Sequence, residues 1–479
     1  MQVLLSARCY TRAKICRGVW VHFVQNNPAI APSAIETGTV RKLRTHIIPF
    51  VFVLFVINFI DRINIGLAAL TMNKELAITS QQYGFIAGIF FFGYFIFEIP
   101  SNLMLHKLGA RVWLARILVS WGIVAVLTGF ARTATHLYLL RFLLGVAEAG
   151  YVPGIYLYLT YWFPKRQLAQ AIALFNTGSA VASIVASPLS GAILDRVDWF
   201  GLSSWRWLLI LEGIPAVVGG IATYFLLPAR PAEARFLTGE EKNWIGAELA
   251  REEQQKTTTG EFSVRQALVH SRVWHLTTAY FMAMIGQGTI MFWMPQLIKA
   301  TSSTVSNTTV GLLVMLPYFA ALAIMVFVGR SSDRRLERRY HVAIPLTIGA
   351  ISLALLSTSP TSSVFLSVTL WSLAASAINC LWGPFWSLPN EFLAGFSAAA
   401  GIALINSVGN LGGFVGSYAM GAINQRTGGF RGGLIFAGLS WLVSAMLLIA
   451  LRKRTAPETG AVAVTQVSPA VTPTAGLDP

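Results

Sequence analysis

Six charged side chains stand inside long apolar runs of this sequence: Asp61, Arg62, Glu98, Arg141, Glu148 and Glu212. An ionised group at the centre of a hydrocarbon layer costs at least about 2.5–3.5 kcal/mol on insertion scales, so each needs a partner or a use. Arginine presents a rigid planar fork that takes a carboxylate in bidentate fashion. A buried carboxyl holds its proton more tightly when dry and less tightly beside an arginine, so it can load and release a proton as its surroundings change. Asp61 and Glu148 therefore stand as candidate proton carriers. Arg62 and Arg141 stand as candidates to engage an anion, or to release it by pairing with those acids. The competing reading is a set of structural ion pairs, although buried pairs are weak stabilisers that apolar packing often replaces. Glu98, near the end of its run, reads as a gate or latch, and Glu212 as a local cap or pair. Tyr94, Asn406 and Asn410 could hydrogen-bond a hydroxylated acid, and Trp382 or Trp386 could wall a cavity. Amides and aromatics also join membrane helices, and each alone is more often a packing residue.

The elements that would carry these groups follow from composition. The 479 residues are 55% hydrophobic and 12% charged, with a mean hydropathy of +0.61. A soluble protein carries roughly 25% charged residues, so most of this surface suits lipid rather than water. A spanning helix needs about 20 mostly apolar residues. Twelve such spans can be placed, near 47–69, 83–106, 113–132, 136–162, 168–194, 205–228, 273–298, 308–329, 342–359, 362–388, 397–424 and 432–451. The expected fold class is an all-α polytopic membrane protein of two six-helix bundles. The expected organisation is an N-terminal arm (1–45), a first bundle (46–228), a polar central loop (229–272), a second bundle (273–452) and a disordered tail (453–479). On these spans Asp61 and Glu148 lie about 21 Å from the inner end and Tyr94 about 18 Å, which places them in one layer. Arg141 and Glu148 fall nearly two turns apart on one face, about 10 Å along the axis. The Gly-rich stretches 409–416 and 428–433 read as a helix contact and a turn.

Most of the 36 basic residues fall in alternate connections, including Arg41, Lys42, Arg44, Lys107, Arg111, Lys165, Arg166, Arg330, Arg334 and Arg335. The opposite connections hold only Lys74, Arg132, Arg196, Lys299, Arg426 and Arg431. Lys/Arg bias of this kind puts both termini in the cytoplasm. The net charge of +16 thus reports topology rather than nucleic-acid binding. Cys9, Cys16 and Cys380 form neither a disulfide framework nor a metal site, and the seven histidines lack metal-ligand spacing. No phosphate-cradling Gly loop and no nucleophile–base set is present, which argues against ATP-driven transport and against an enzyme.

Two inner loops carry related motifs. One runs from Asn102 through His106-Lys107-Leu108-Gly109-Ala110-Arg111, the other is Gly329-Arg330-Ser331-Ser332-Asp333-Arg334-Arg335. Both resemble the G-x-x-x-D-[RK]-x-G-[RK] loop of the major facilitator superfamily, at corresponding places in the two halves. In the first copy Asn102 stands for the Gly and His106 for the Asp. Asn58–Gly66, Gly93–Asn102, Arg141–Gly154 with Trp162-Phe163-Pro164, and Ala400–Gly413 together resemble the anion:cation symporter family within it. The resemblance covers residues 41–452 and sits closest to bacterial tartrate and aromatic-acid permeases. It implies import of a small organic anion by proton symport with alternating access, with Asp61 and Glu148 as proton carriers. It also implies an anion-binding arginine at these motif positions; with the residue reading above, the expected substrate site is Arg62, Arg141, Tyr94, Trp382, Asn406 and Asn410, and a gating or structural role falls to Glu98, His106, Lys107, Gly109, Arg111, Gly329, Asp333 and Arg334. The expected setting is a monomer in the bacterial inner membrane that uses a proton gradient and no cofactor, metal or nucleic acid. The alternatives are a proton-independent facilitator or drug exporter and, more remotely, a transporter-like sensor.

Overall fold

The structure is a computed structural model, described here for residues 34–257, 268–301, 304–358, 363–389, 392–393 and 395–451. Residues 1–33, most of the expected N-terminal arm, and the tail from 452 lie outside the described residues. The helices in chain order are α1 (Ala34–His46), α2 (Ile48–Glu75), α3 (Ser80–Leu108), α4 (Ala110–Thr128), α5 (Ala134–Glu148), α6 (Tyr151–Thr160), α7 (Lys165–Asn176), α8 (Gly178–Arg196), α9 (Ser204–Leu226), α10 (Gly239–Thr257), α11 (Ser271–Thr301), α12 (Asn307–Arg335), α13 (Arg339–Thr358), α14 (Val364–Asn379), α15 (Gly395–Thr427) and α16 (Arg431–Ala450). With α5–α6 and α7–α8 each forming one interrupted rod, these make six long rods before α10 and six after it. Among the described residues, nine segments are long and apolar enough to cross a membrane by length and composition, and α14 is a shorter apolar helix. The remaining two rods are α11 and α15.

Four departures from the sequence-based spans have local causes. The fourth rod breaks at Ala149–Gly150, where Gly150 takes φ +84° and a Cβ would meet Ser101 Oγ at 2.5 Å. Only glycine fits that left-handed, crowded position without strain. The fifth rod is interrupted between α7 and α8. The tenth ends at Asn379 rather than 388, and residues 380–388 continue as turns and a 3₁₀ segment around Pro384. The expected arm and central loop are partly helical: α1 and α10 lie against each other, joined by Lys42 Nζ donating to Glu241 Oε2 at 2.9 Å. The Lys42 ammonium, with the Thr238 backbone N–H, holds the Glu241 carboxyl below its usual range. A depressed carboxyl contributes stability that is present above its unfolded-state value and lost as pH falls through its folded value. This contact is therefore fully present at neutral pH and disappears only in acid. As a partly buried pair at the surface it contributes on the order of 1 kcal/mol or less. We expect Glu241→Gln to speed proteolysis within 229–257 at pH 7 and to have no effect on that rate in acid below the carboxylate range.

Within each half, helices approach over glycines. A Cβ on Gly145 would strike the Phe90 carbonyl and one on Gly93 the Phe142 carbonyl, so α3 and α5 meet backbone to backbone. Gly412 and Gly416 of α15 press in the same way on the Phe281 and Ile285 carbonyls of α11. Small residues four apart are the standard means of close helix approach in lipid. Gly416→Val is expected to cost about 1–3 kcal/mol by overpacking and to lower the apparent melting temperature of the detergent-solubilised protein.

The halves meet along α3·α15, α8·α12 and α2·α11. At the end remote from α1 and α10 these seams are tight. Gly84 faces the Ser417 carbonyl, Gly421 the Ser80 carbonyl, Gly191 the Asn307 carbonyl and Gly311 the Ser187 carbonyl. Polar contacts lie over them: Gln81 donates to Tyr418 at 2.8 Å, Asn424 to Ser80 at 2.8 Å, and the Thr308 backbone and hydroxyl both donate to Asp195 at 2.7 Å. That end is closed, and the chain must be accessible from the other.

Candidate functional site

A cavity of about 500 Å³ lies between the halves. It runs from Arg62, Tyr94 and Arg141 at mid-depth to Asn102, His106 and Thr160 on the α1/α10 side. All six residues expected at the substrate line it: Arg62, Arg141, Tyr94, Trp382, Asn406 and Asn410. Its walls are otherwise aromatic and aliphatic, with Phe90, Phe91, Phe292 and Met291 among them. An apolar cleft with a few convergent polar groups is the usual form of a small-molecule site.

The charge arrangement is asymmetric. Glu148, the last residue of α5 and fully buried, accepts from Arg62 Nε at 2.5 Å and pairs with Arg62 Nη2 at 2.5 Å through the same oxygen, Oε1. Its other oxygen, Oε2, has no hydrogen-bond partner. The Arg62 guanidinium also lies over the rings of Phe90 (5.3 Å) and Tyr94 (5.2 Å). Arg141 is only 2% exposed, sits over Phe90 at 5.4 Å, and its Nε lacks a partner. No carboxylate among the described residues comes within 4.0 Å of it. A buried, cavity-facing guanidinium without an acid at contact distance is costly unless something compensates the charge.

Asp61 is placed differently from its neighbour Arg62. It points away from the cavity into the first half, where Trp121 Nε1 donates at 2.7 Å and Asn64 Nδ2 at 3.4 Å. Glu212 lies on that same side and accepts from Ser190 Oγ at 2.5 Å. Neither Asp61 nor Glu148 lines the cavity directly; Glu148 stands behind Arg62.

Glu98 is not confined to the loop end. It faces the cavity, and across the seam Asn406 Nδ2 donates to its Oε1 at 2.7 Å and Ser407 Oγ to its Oε2 at 2.5 Å. Asn410 in turn donates to Asn406 at 3.2 Å. The remaining gate candidates are at the helix ends. His106 is at the cavity mouth, Gly109 takes φ +84° between α3 and α4, and Arg111 lies 3.6 Å from Glu233. Asp333 pairs at 2.5 Å with Arg338 of its own connection, while Arg334 is exposed and Gly329 has open space around it. Lys107 is likewise exposed. Sequence reasoning missed Tyr280 and Gln287 of α11, which line the cavity with the Tyr280 hydroxyl and Gln287 Oε1 unpartnered. The available signal was Gln287 as an amide near the centre of an apolar span.

The profile described as Major Facilitator Superfamily matches residues 51–417, with a second match at 276–474. The chain belongs to this superfamily. It is a multi-pass membrane protein and a transporter, not an enzyme. A protein of Agrobacterium vitis named "Putative tartrate transporter" is 43% identical over 428 residues, covering 89% of this chain and 98% of that one. The "Quinolone resistance transporter" of Acinetobacter baumannii is 36% identical, covering 86% and 94%. Relatives of this kind are consistent with the anion-symporter-like branch that the motifs resemble. Among solved structures, a partially occluded, inward-open form of the Escherichia coli xylose transporter XylE superposes with a TM-score of 0.68 at 15% identity, covering 86% of this chain and 98% of that one. At that identity the likeness bears on the fold, and the fold of this transporter is theirs.

Proposed function

We propose that this transporter imports a small organic anion, a carboxylate such as tartrate, a sugar acid or an aromatic acid, across the bacterial inner membrane in symport with protons. The observation that carries the reading is Arg141: a buried guanidinium facing the cavity with no carboxylate within 4.0 Å among the described residues, while the neighbouring Arg62 is held by Glu148. The cavity side, with α1 and α10, is cytoplasmic on the Lys/Arg bias, so this conformation is inward-open. A carboxylate entering from the opposite side forks onto Arg141. Protonation of Glu148 at its unpartnered oxygen neutralises it and frees Arg62 to take the substrate's second oxygen or a second carboxylate. Tyr94, Asn406, Asn410 and Gln287 supply hydrogen bonds to hydroxyls, and the aromatic wall takes the carbon skeleton. The halves then rock about the fixed site, and water on the inner side releases the anion and the proton. The A. vitis relative's name supports a dicarboxylate, and monomeric action suits a site formed within one chain.

The test is uptake by proteoliposomes of labelled tartrate, a sugar acid, phthalate and hydroxyphenylacetate, with a quinolone arm, with and without an inward proton gradient. Accumulation of one acid only with the gradient supports the proposal. Equal uptake without it would make the protein a facilitator, and movement of the quinolone alone would overturn the organic-acid reading.

A further inference from the structure

A second cavity, of about 430 Å³, opens on the outer flank of the second half, away from the substrate path. Its origin is in the helix packing. Helices α12 and α13 are joined by residues 336–338 and barely touch along their lengths, while both pack on α14. The result is a wedge floored by α14. The side chains along it are Ile324, Val328, Ile344, Ile348, Leu373 and Ala377, and four of these (Ile324, Ile344, Ile348 and Leu373) are exposed large apolar groups. The equivalent wedge of the first half, between α3 and α4, holds Trp113, whose indole donates to Ser101 Oγ of α3 at 3.0 Å. No aromatic does this between α12 and α13; Tyr340 instead stands at the mouth, 45% exposed.

That mouth is basic. The chain there carries Arg330, Arg334, Arg335, Arg338 and Arg339 against two acids, Asp333 and Glu337, and of these Arg335 and Glu337 line the wedge. Both acids are already engaged: Asp333 by Arg338 at 2.5 Å, Glu337 by Arg339 at 3.8 Å and by His341 at 3.2 Å. Arg330, Arg334 and Arg335 have no carboxylate within 4.0 Å among the described residues, and Arg335 lines the wedge beside Tyr340 and His341. The site is thus amphipathic along its length, with an apolar trough of membrane depth and a cationic, hydroxyl-bearing rim at the headgroup level of the α1/α10 side.

We propose that this wedge binds one anionic glycerophospholipid, with an acyl chain in the trough and the phosphate against Arg335 and the Tyr340 hydroxyl. The trough excludes a free phosphate as the natural occupant, because it supplies nothing that a headgroup alone would use. The unneutralised rim selects an anionic over a zwitterionic headgroup. A lipid seated there would wedge apart the end of α12 that carries Gly329, Asp333 and Arg334 and the start of α13, so its binding bears on the movement of these two helix ends.

The experiment is native mass spectrometry of the purified full-length protein with phosphatidylglycerol and phosphatidylcholine of matched acyl chains. Wild type is expected to retain phosphatidylglycerol about fivefold more than phosphatidylcholine, the increment of one arginine near a headgroup. Arg335→Gln should abolish that preference, and Ile348→Trp, which fills the trough, should reduce retention of both lipids. Inorganic phosphate or glycerol 3-phosphate in excess should not displace the lipid. Equal retention of the two lipids by wild type, an unchanged preference in Arg335→Gln, or displacement by inorganic phosphate would each overturn the proposal. Should the variants not fold, photo-cross-linking of wild type with a diazirine-bearing phosphatidylglycerol decides the matter: adducts within 324–348 or 373–380 support the site, and adducts confined to other segments overturn it.

Discussion

Replacing Arg141 by lysine lowers kcat/KM for anion uptake by about 100-fold or more, with the purified protein still folded. The magnitude follows from the geometry of the replaced group. A hydrogen bond to a charged group contributes about 1.5–3 kcal/mol, and an ammonium cannot reproduce the two parallel bonds of a guanidinium fork, so roughly 3 kcal/mol is lost. Lysine keeps the charge, which separates loss of the fork from loss of electrostatic attraction. It would also give up the contact of the planar cation with Phe90 at 5.4 Å. Because Arg141 forms no ion pair with any described acid, the substitution strands no carboxylate, and the melting temperature should change little. The measurement is initial uptake against substrate concentration in proteoliposomes, alongside thermal unfolding. Retention of wild-type kcat/KM would place the anion elsewhere in the cavity.

Glu148→Gln is expected to separate exchange from accumulation. The amide is an uncharged mimic of the protonated acid, so Arg62 is no longer held by a full ion pair. Substrate-for-substrate exchange should persist at a rate near that of wild type. Uptake driven by an inward proton gradient should fall to the level set by the substrate gradient alone, and substrate-driven alkalinisation outside the vesicles should disappear. Wild-type alkalinisation in this variant would remove Glu148 from the proton path. Asp61 would then be the remaining candidate, although its carboxylate faces Trp121 rather than the cavity.

Much of the site was legible because lipid makes charge expensive. Arg62, Arg141, Glu98 and Glu148 stand out in apolar runs, and the structure brings all four to or directly behind one cavity. Depth arithmetic places Tyr94 and Glu148 in one layer, and Arg62 indeed touches both. Facing was less legible. Asp61 and Arg62 are adjacent, and on a helix adjacent residues diverge by about 100°, so one meets the cavity and the other Trp121. Whether Glu98 belongs to the loop or the cavity depended on α15 lying opposite, a tertiary fact that no window on α3 contains. The breaks at Gly150 and Asn379 were missed because hydropathy is continuous across them. The helix α10 was missed because a polar helix leaves no apolar period against which to recognise it; its mean character is that of an exposed connection, and only its partner α1 gives it a surface to rest on.

The bracing of α10 has a further consequence. Among the described residues it is tied to the N-terminal side of the chain: Glu241 to Lys42, Glu252 to the Lys165 backbone, and, just before the helix, Glu233 to Arg111. The described part of the connection, up to residue 257, is thus held by the first half, while the halves meet along the α3·α15 and α8·α12 seams. The expectation is that the chain can be divided there. Two separately expressed pieces, parted just after residue 257, would each carry a complete set of internal contacts and could reassemble into a working pair. On that reading the covalent join would serve chiefly to keep the two pieces in equal numbers and at high local concentration.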